Sequence, residues 1–252
     1  MLIDSHCHIL KEEYDNPNEV INRSLNNGIS KIIINGYDLK TSKESIILAN
    51  SYKNVYCAIG IAPSDVDKMG ENDIKEIEEL IKNKKVVAIG EIGLDYYWTK
   101  ENKEKQIFVF KKMLELAKRY KLPVIVHNRE ATKDTYNILK EYGVKGIIHC
   151  FSGSLETAKE FIKIGFLIGV GGVVTFKNSK NIKEVVKNID LSYISLETDS
   201  PYLSPEPKRG TINEPLNIKY IAQKVSQIKD AALSDVMDIT SSNVIALFDL
   251  KD

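Results

Sequence analysis

The chain has 252 residues with 35 basic and 35 acidic side chains, so its formal net charge is zero. This balance excludes a global basic footprint for nucleic acid, and any affinity for phosphate must therefore be local. Apolar residues make up 43% of the chain, which is enough to bury a full core and excludes a largely disordered protein.

Short apolar runs that are typical of β-strands alternate with amphipathic segments along the chain. Most of these runs are nearly continuous, as expected for parallel strands that are covered on both faces. The predicted strands are 2–5, 31–35, 55–60, 86–90, 124–127, 146–149, 166–169 and 193–197. Apolar residues at helical spacing predict helices over 71–83 and 101–120, and again over 216–228 and 234–247 after a proline-containing loop at 200–215.

The alternation predicts an α/β fold. Eight strand-and-helix units in a chain of this length indicate a (β/α)8 barrel of the TIM type with an additional C-terminal helix. The same alternation would also permit an open, doubly wound sheet. Because no domain break, repeat or low-complexity tract is visible, we expect one domain over residues 1–252.

All four histidines of the chain and two of its acids come at the ends of predicted strands. The carboxyl ends of barrel strands share one mouth, where the active sites of this fold lie. Imidazole nitrogens and carboxylate oxygens are typical metal ligands. The candidate ligands are His6, His8, Glu91, His127, His149 and Asp199.

Several of these residues also suggest individual roles. His6 and His8 are two positions apart, so their side chains converge on one face of a strand. The carboxylate of Glu91 can bridge two cations with its two oxygens. Asp199 can be both a ligand and the general base for a metal-bound water, so Asp199 and Glu91 are the catalytic candidates. Asp95 could orient a ligand or cap a helix.

Three residues near these candidates are possible substrate contacts. Arg129 follows a candidate ligand, and its guanidinium can form bidentate bonds to phosphate. A surface ion pair with Glu130 or Glu101 is the alternative. Arg209 and Asn213 lie in the loop after the last strand and are further candidates, with an ordinary solvated loop as the alternative.

Five segments together resemble the TatD-type metal-dependent deoxyribonucleases, a family within the amidohydrolase-like barrels. They contain the candidate ligands, stand in the order of the family motifs and extend over essentially the whole chain. The segments are 3–8, 90–96, 123–127, 149–153 and 197–203. The later residues 209–210 and 213–215 fit the loop of the family.

The resemblance implies a TIM-like barrel with two divalent metal ions at its mouth. It implies this division of the ligands: His6, His8 and Asp199 for one ion, His127 and His149 for the other, and Glu91 for both. Zinc, manganese and magnesium all suit such mixed nitrogen and oxygen sites. Family members hydrolyse DNA phosphodiesters, often as 3′-exonucleases on single strands, so the implied substrate is DNA. Some members have been linked to RNA or to removal of D-amino acids from tRNA.

One position departs from the family pattern. The family usually has a histidine before the proline at position 63, where this chain has Ala62. Such a histidine would lie near the metals, where it could contact a phosphate or assist the leaving group. Its absence bears on the rate and on the preferred substrate, whereas the six implied ligands are complete.

Two other kinds of function are compatible with this site. An amidohydrolase-like hydrolase of esters, lactones or amides, or a D-aminoacyl-tRNA deacylase, would share the binuclear site, because loops choose the substrate. No lysine ends the fourth strand to carry a bridging carbamate, since Glu91 stands there. A nucleic-acid-binding protein with a structural metal is disfavoured, because the candidate ligands include no thiolate cluster.

The sequence also indicates a cellular compartment. Three widely spaced cysteines argue against a disulfide framework and fit a reducing environment. The sequence shows no signal peptide and no apolar run of about 18 residues that could span a membrane. We therefore expect a cytoplasmic protein without a membrane partner or an obligate protein partner.

Overall fold

Eight parallel strands follow one another in chain order in a computed structural model of the protein, which describes residues 1–251. The strands are β1 (Ile3–Cys7), β2 (Lys31–Asn35), β3 (Val55–Ile59), β4 (Val86–Asp95), β5 (Val124–Arg129), β6 (Gly146–Ile148), β7 (Phe166–Val170) and β8 (Ile194–Leu196). Each strand pairs with the next, from β1 to β8. This order confirms the predicted barrel, and the open doubly wound sheet is wrong.

The barrel is joined between its last and first strands. Ser5 of β1 donates its hydroxyl to the carbonyl oxygen of Leu196 in β8 at 2.9 Å. Just beyond the strands, Asp199 N donates to His6 O at 2.9 Å and His8 N donates to Ser200 O at 2.7 Å. These bonds place the residues after β8 directly against the end of β1.

Helices follow the strands and cover the outside of the barrel. They are α1 (Pro17–Asn26), α2 (Leu39–Asn50), α3 (Asp73–Leu80), α4 (Lys103–Tyr120), α5 (Thr132–Tyr142), α6 (Leu155–Lys163), α7 (Lys180–Asn188), α8 (Ile218–Lys229) and α9 (Leu233–Phe248). Short 3-10 helices occur at Gly172–Thr175, Leu191–Tyr193 and Pro215–Asn217. In the part of the chain that the structure describes, none of the helices has the length and apolar character needed to span a bilayer.

The additional C-terminal helix is α9, as predicted. Its residues Val244 and Phe248 form a core cluster with apolar residues of β1 to β6, such as Ile3 and Ile125. Near the end of the chain, Lys251 O accepts a hydrogen bond from Lys31 Nζ at the start of β2. The helix therefore covers the amino ends of the strands and leaves the opposite mouth of the barrel open.

Strand β4 is longer than predicted and ends at Asp95 rather than near residue 90. Its extension runs beside β5, where Gly93 pairs with His127. Gly93 has a φ of 143°, and a Cβ there would lie 2.0 Å from His127 O, so only glycine permits this close approach. As a result, Glu91 and His127 lie within strands rather than at their ends.

Candidate metal centre

The six candidate ligands come together at the carboxyl-end mouth of the barrel. They belong to β1, β4 and β5, or to the residues that follow β1, β6 and β8. In each of three overlapping groups, the donor atoms lie within 4.8 Å of one another. The groups are His6 with His8 and Glu91, His6 with His149 and Asp199, and Glu91 with His127 and His149. All six side chains thus converge, and their binding of metal is a proposal developed below.

Glu91 lies between two pairs of histidines and directs one carboxylate oxygen to each pair. Its Oε2 is 3.5 Å from His6 Nε2 and 3.4 Å from His8 Nε2. Its Oε1 is 2.8 Å from His127 Nδ1 and 3.1 Å from His149 Nε2. Burial opposes the charge of Glu91, but the surrounding imidazoles outweigh it and hold the pKa of this carboxyl well below its usual range. The group is therefore an ionised carboxylate placed between two sets of nitrogen donors.

Asp199 stands on the other side of the first histidine pair. Its Oδ1 is 3.5 Å from His6 Nε2 and 3.7 Å from His8 Nε2. The residue has a φ of 56°, in the left-handed region that aspartate tolerates better than most residues. Burial opposes the charge here too, but the hydrogen bond from His6 and the neighbouring imidazoles lower the pKa of Asp199. A second ionised carboxylate thus faces the histidines of β1.

Two of the histidines are oriented through their outer ring nitrogens. His8 Nδ1 lies 2.8 Å from Asn35 O, and a carbonyl oxygen can only accept. His127 Nε2 lies 2.9 Å from Asp95 Oδ2, again an acceptor. Each outer nitrogen therefore carries a hydrogen, so the inner nitrogen of each ring is the one that can offer a lone pair to a cation once it has lost its proton. This is the usual arrangement of histidines that bind metals.

The contacts of Asp95 decide between its two interpretations. One carboxylate oxygen holds His127, and the other accepts the backbone N–H groups of Tyr97 at 2.9 Å and Trp98 at 3.3 Å. The helix that follows, α4, has Asn102 at its N-cap. Asp95 is therefore a residue that orients a candidate ligand, and the helix-cap interpretation is wrong.

The donor set fits divalent cations. His6 Nε2 faces His8 Nε2 at 3.1 Å, and His127 Nδ1 faces His149 Nε2 at 3.3 Å. Two nitrogen lone pairs repel one another at such distances unless a proton or a cation lies between them. Burial opposes a charge on His127, but Asp95 and Glu91 outweigh it and raise the pKa of this imidazole to about 9. The cluster thus attracts cations strongly, and its oxygen and imidazole donors suit divalent metals.

Two buried carboxyl groups contact the backbone next to the candidate ligands and were not among the predicted site residues. Asp4 Oδ1 accepts the backbone N–H of Thr198 at 2.9 Å, and burial raises the pKa of Asp4 to about 7. Glu197 accepts the N–H of Cys150, next to His149, and burial raises the pKa of Glu197 to about 8. Asp4 lies inside β1, and Glu197 directly follows β8. A charged residue inside or directly after an apolar strand segment is the signal that could have identified them.

A cavity of about 590 Å³ opens over the cluster, and Arg129 lies in its wall. The guanidinium carbon of Arg129 is 3.8 Å from the ring centre of Tyr97 and 5.3 Å from that of Trp98. Among the residues that the structure describes, Arg129 forms no ion pair. The surface pair with Glu130 or Glu101 is therefore wrong, and the guanidinium is available at the cavity.

The other two predicted substrate contacts lie elsewhere. Arg209 packs over the ring of Phe176 at 3.9 Å and is not part of the cavity wall. Asn213 is fully buried, and its amide donates to Thr198 O at 2.9 Å and Tyr202 O at 2.8 Å. The prediction for Asn213 needs correction, because its side chain is fully used in holding the loop after β8.

Ala62 forms part of the cavity wall together with Pro63. Its side chain is buried, and its backbone N–H donates to Tyr37 O at 2.8 Å. The small methyl group leaves room where the family usually has an imidazole. Ala62 therefore contributes only a methyl group to the cavity wall and is not one of the six candidate ligands.

The fold and the cluster together define a class of protein. A parallel barrel with its reactive groups at the carboxyl ends of the strands is the arrangement of barrel enzymes. Imidazole and carboxylate groups that can hold cations at this mouth are typical of enzymes that use metal ions in catalysis. The protein therefore belongs to the metal-dependent barrel enzymes.

Comparison with known proteins assigns the family within this class. The family described as TatD related DNase matches residues 3–249. YabD of Bacillus subtilis, described as an uncharacterized metal-dependent hydrolase, is 44% identical over 98% of this chain and 99% of its own length. The crystal structure of YjjV, a TatD homologue from Escherichia coli, has a TM-score of 0.91 at 29% identity and covers 99% of this chain and 98% of its own. The chain belongs to the TatD family and is a metal-dependent hydrolase.

Proposed function

We propose that this protein hydrolyses phosphodiester bonds of DNA and removes nucleotides from the 3′ ends of single strands. The proposal rests on the position of Glu91, whose two carboxylate oxygens face two separate pairs of histidines. A carboxylate placed between two histidine pairs could be shared by two cations, and paired cations are characteristic of enzymes that hydrolyse phosphodiesters. The match to a family of DNases supports DNA as the substrate.

The six side chains divide naturally over two cations. One cation would be held by His6, His8 and Asp199, the other by His127 and His149, and both by Glu91. When bound, such cations lower the pKa of a coordinated water and neutralise charge on the attacked phosphate. Zinc, manganese and magnesium remain the candidates, because the donor set combines imidazole with carboxylate.

The protein groups supply the proton transfer and the orientation of the substrate. Asp199 is ionised and faces the cluster, so it can accept the proton of the attacking water. Arg129 lies in the cavity wall, forms no ion pair with any residue that the structure describes, and can hold a non-bridging phosphate oxygen with its N–H groups. Arg209 lies outside the cavity, so a contact between it and DNA would involve nucleotides farther along the strand.

A panel of substrates tests the proposed activity. Single-stranded DNA, blunt duplex DNA, RNA, a lactone and a D-aminoacyl-tRNA are each offered to the protein loaded with zinc, manganese or magnesium. We expect the highest kcat/KM on single-stranded DNA, with a 5′-labelled strand shortened stepwise from its 3′ end. Hydrolysis of the lactone or of the aminoacyl-tRNA without cleavage of DNA would contradict the proposal and favour the amidohydrolase-like or deacylase alternative.

The number of metal ions gives an independent test of the site. Because two sets of nitrogen donors share Glu91, protein that has been stripped of metal with a chelator should take up two divalent ions per chain. Calorimetric titration followed by elemental analysis of the dialysed protein measures this number. Saturation at one ion per chain, under conditions that support activity, would show that the centre is mononuclear.

A further inference from the structure

Two aromatic residues stand at the mouth of the cavity immediately after β4. Tyr97 is 50% exposed and Trp98 is 73% exposed, although large apolar side chains are usually buried. Trp98 also forms part of the wall of the cavity that contains Glu91, His127 and Asp199. An exposed indole beside a candidate metal centre indicates a surface that is covered when substrate is bound.

The positions of these rings are tied to the metal centre. Asp95 holds the backbone N–H groups of Tyr97 and Trp98 with one oxygen and His127 with the other. A single carboxylate thus fixes the start of the aromatic segment relative to a candidate ligand. The backbone of Trp98 is therefore held at a fixed distance from the candidate ligand His127 by hydrogen bonds to Asp95.

Arg129 stacks on Tyr97 and leaves most of the Trp98 ring uncovered. Its guanidinium covers the ring of Tyr97 at 3.8 Å, whereas the Trp98 ring meets that of Tyr97 edge to face, with centroids 4.9 Å apart and planes at 84°. The stacked guanidinium is held in position while its N–H groups remain able to bind phosphate. The indole of Trp98, which is largely uncovered, presents an aromatic surface next to this cation.

We propose that Trp98 is a stacking site for an unpaired base of the substrate strand, with Arg129 binding the adjacent phosphate. This inference rests on the proposed function and specifies its substrate as a strand end with at least one unpaired base. Aromatic side chains bind single strands in this way because every base has a face that can stack. At a paired end the terminal base is held by its partner strand and stacked on its neighbour, so its pair would have to open before the base could reach Trp98. The site would therefore favour unpaired ends.

Kinetics of Trp98→Ala test the role of the indole. On a single-stranded oligonucleotide we expect KM to rise about tenfold or more, the scale of one lost base stack. The change in kcat should stay below about threefold, because the metal ligands are untouched. Trp98→Phe should recover most of the loss. Phe108→Ala removes another exposed aromatic side chain, 55% exposed on α4 and outside the cavity, and should leave KM unchanged.

An oligonucleotide with abasic sites at its 3′ end isolates the stacking contribution. It keeps the phosphates but offers no base, so wild-type protein should show a raised KM and Trp98→Ala should raise it no further. If the variant weakens the intact and the abasic strand equally, the indole does not stack on a base and the inference is overturned.

Fluorescence provides a readout that does not depend on turnover. Trp98 is the single tryptophan of the chain, so all indole emission reports on this site. In excess chelator, which prevents cleavage, single-stranded DNA should quench this emission, whereas an abasic strand or a blunt duplex should not. Quenching that is equal for all three ligands would overturn the inference.

The combined results separate the two proposals. Cleavage of DNA with no effect of Trp98→Ala overturns the stacking site and leaves the proposed function intact. Base-dependent quenching without cleavage of any nucleic acid by the metal-loaded protein overturns the proposed function and supports a binding site at Trp98. Absence of both cleavage and quenching overturns both.

Discussion

Replacing Glu91 by glutamine is expected to lower kcat on single-stranded DNA by about 10²-fold or more, the scale of losing a metal-polarising or acid–base group. The amide keeps the size of the side chain but offers one oxygen in place of two and carries no charge. Only one of the two histidine pairs would then face an oxygen of this side chain, and neither pair would face a negative charge there. We therefore expect the metal content to fall together with the rate.

The measurement combines kcat with the metal content of dialysed protein and with a circular dichroism melt. The barrel should remain folded, because Glu91 lies at its mouth and the apolar clusters are untouched. Glu101→Gln makes the same chemical change at an exposed position and should preserve both the rate and the metal content. Near-normal turnover of Glu91→Gln with two bound ions would show that this carboxylate does not bridge.

The barrel could be predicted because parallel strands that are buried on both faces appear in the sequence as continuous apolar runs. Continuous apolar runs located all eight strands and ended close to the observed boundaries. The exception is β4, whose extension to Asp95 depends on the tight pairing of Gly93 with His127. That pairing is a contact between distant segments, and local apolar patterning contains no information about it.

The ligand cluster could be predicted because parallel strands in a barrel end at one mouth. Residues that are far apart in the chain meet there if each follows or ends a strand, as His8 and His149 do. The position of Glu91 between two histidine pairs could be seen only in the structure, because it depends on the direction of the side chains. So did the orientation of His127 by Asp95, which the sequence left undecided.

Predictions were least successful in the loops. Asn213 looked like a substrate contact because it is polar and follows the last strand, but its amide holds the backbone of the same loop. Trp98 is not among the predicted site residues, because local sequence does not distinguish an exposed aromatic side chain from a buried one. Its importance depends on its exposure and on its place in the cavity wall, which arise only from the tertiary fold.

Asp199→Asn is expected to lower kcat by about 10²- to 10⁴-fold, the range for loss of a general base. Asparagine has nearly the same shape and also tolerates the left-handed backbone that Asp199 adopts at a φ of 56°. The bond from the backbone N–H of this residue to His6 O should therefore persist. Only the negative charge and its proton affinity are lost, so the variant isolates the chemistry of the carboxylate from its place in the fold.

The matched control is Asp230→Asn, because Asp230 also has a left-handed backbone, with a φ of 50°, and lies exposed at the end of α8. This variant should keep wild-type kcat and KM. Single-turnover assays at saturating metal separate loss of chemistry from loss of an ion, since added metal restores only the latter. If Asp199→Asn regains full activity at high metal concentration, then Asp199 is a ligand alone and another group must accept the proton of the attacking water.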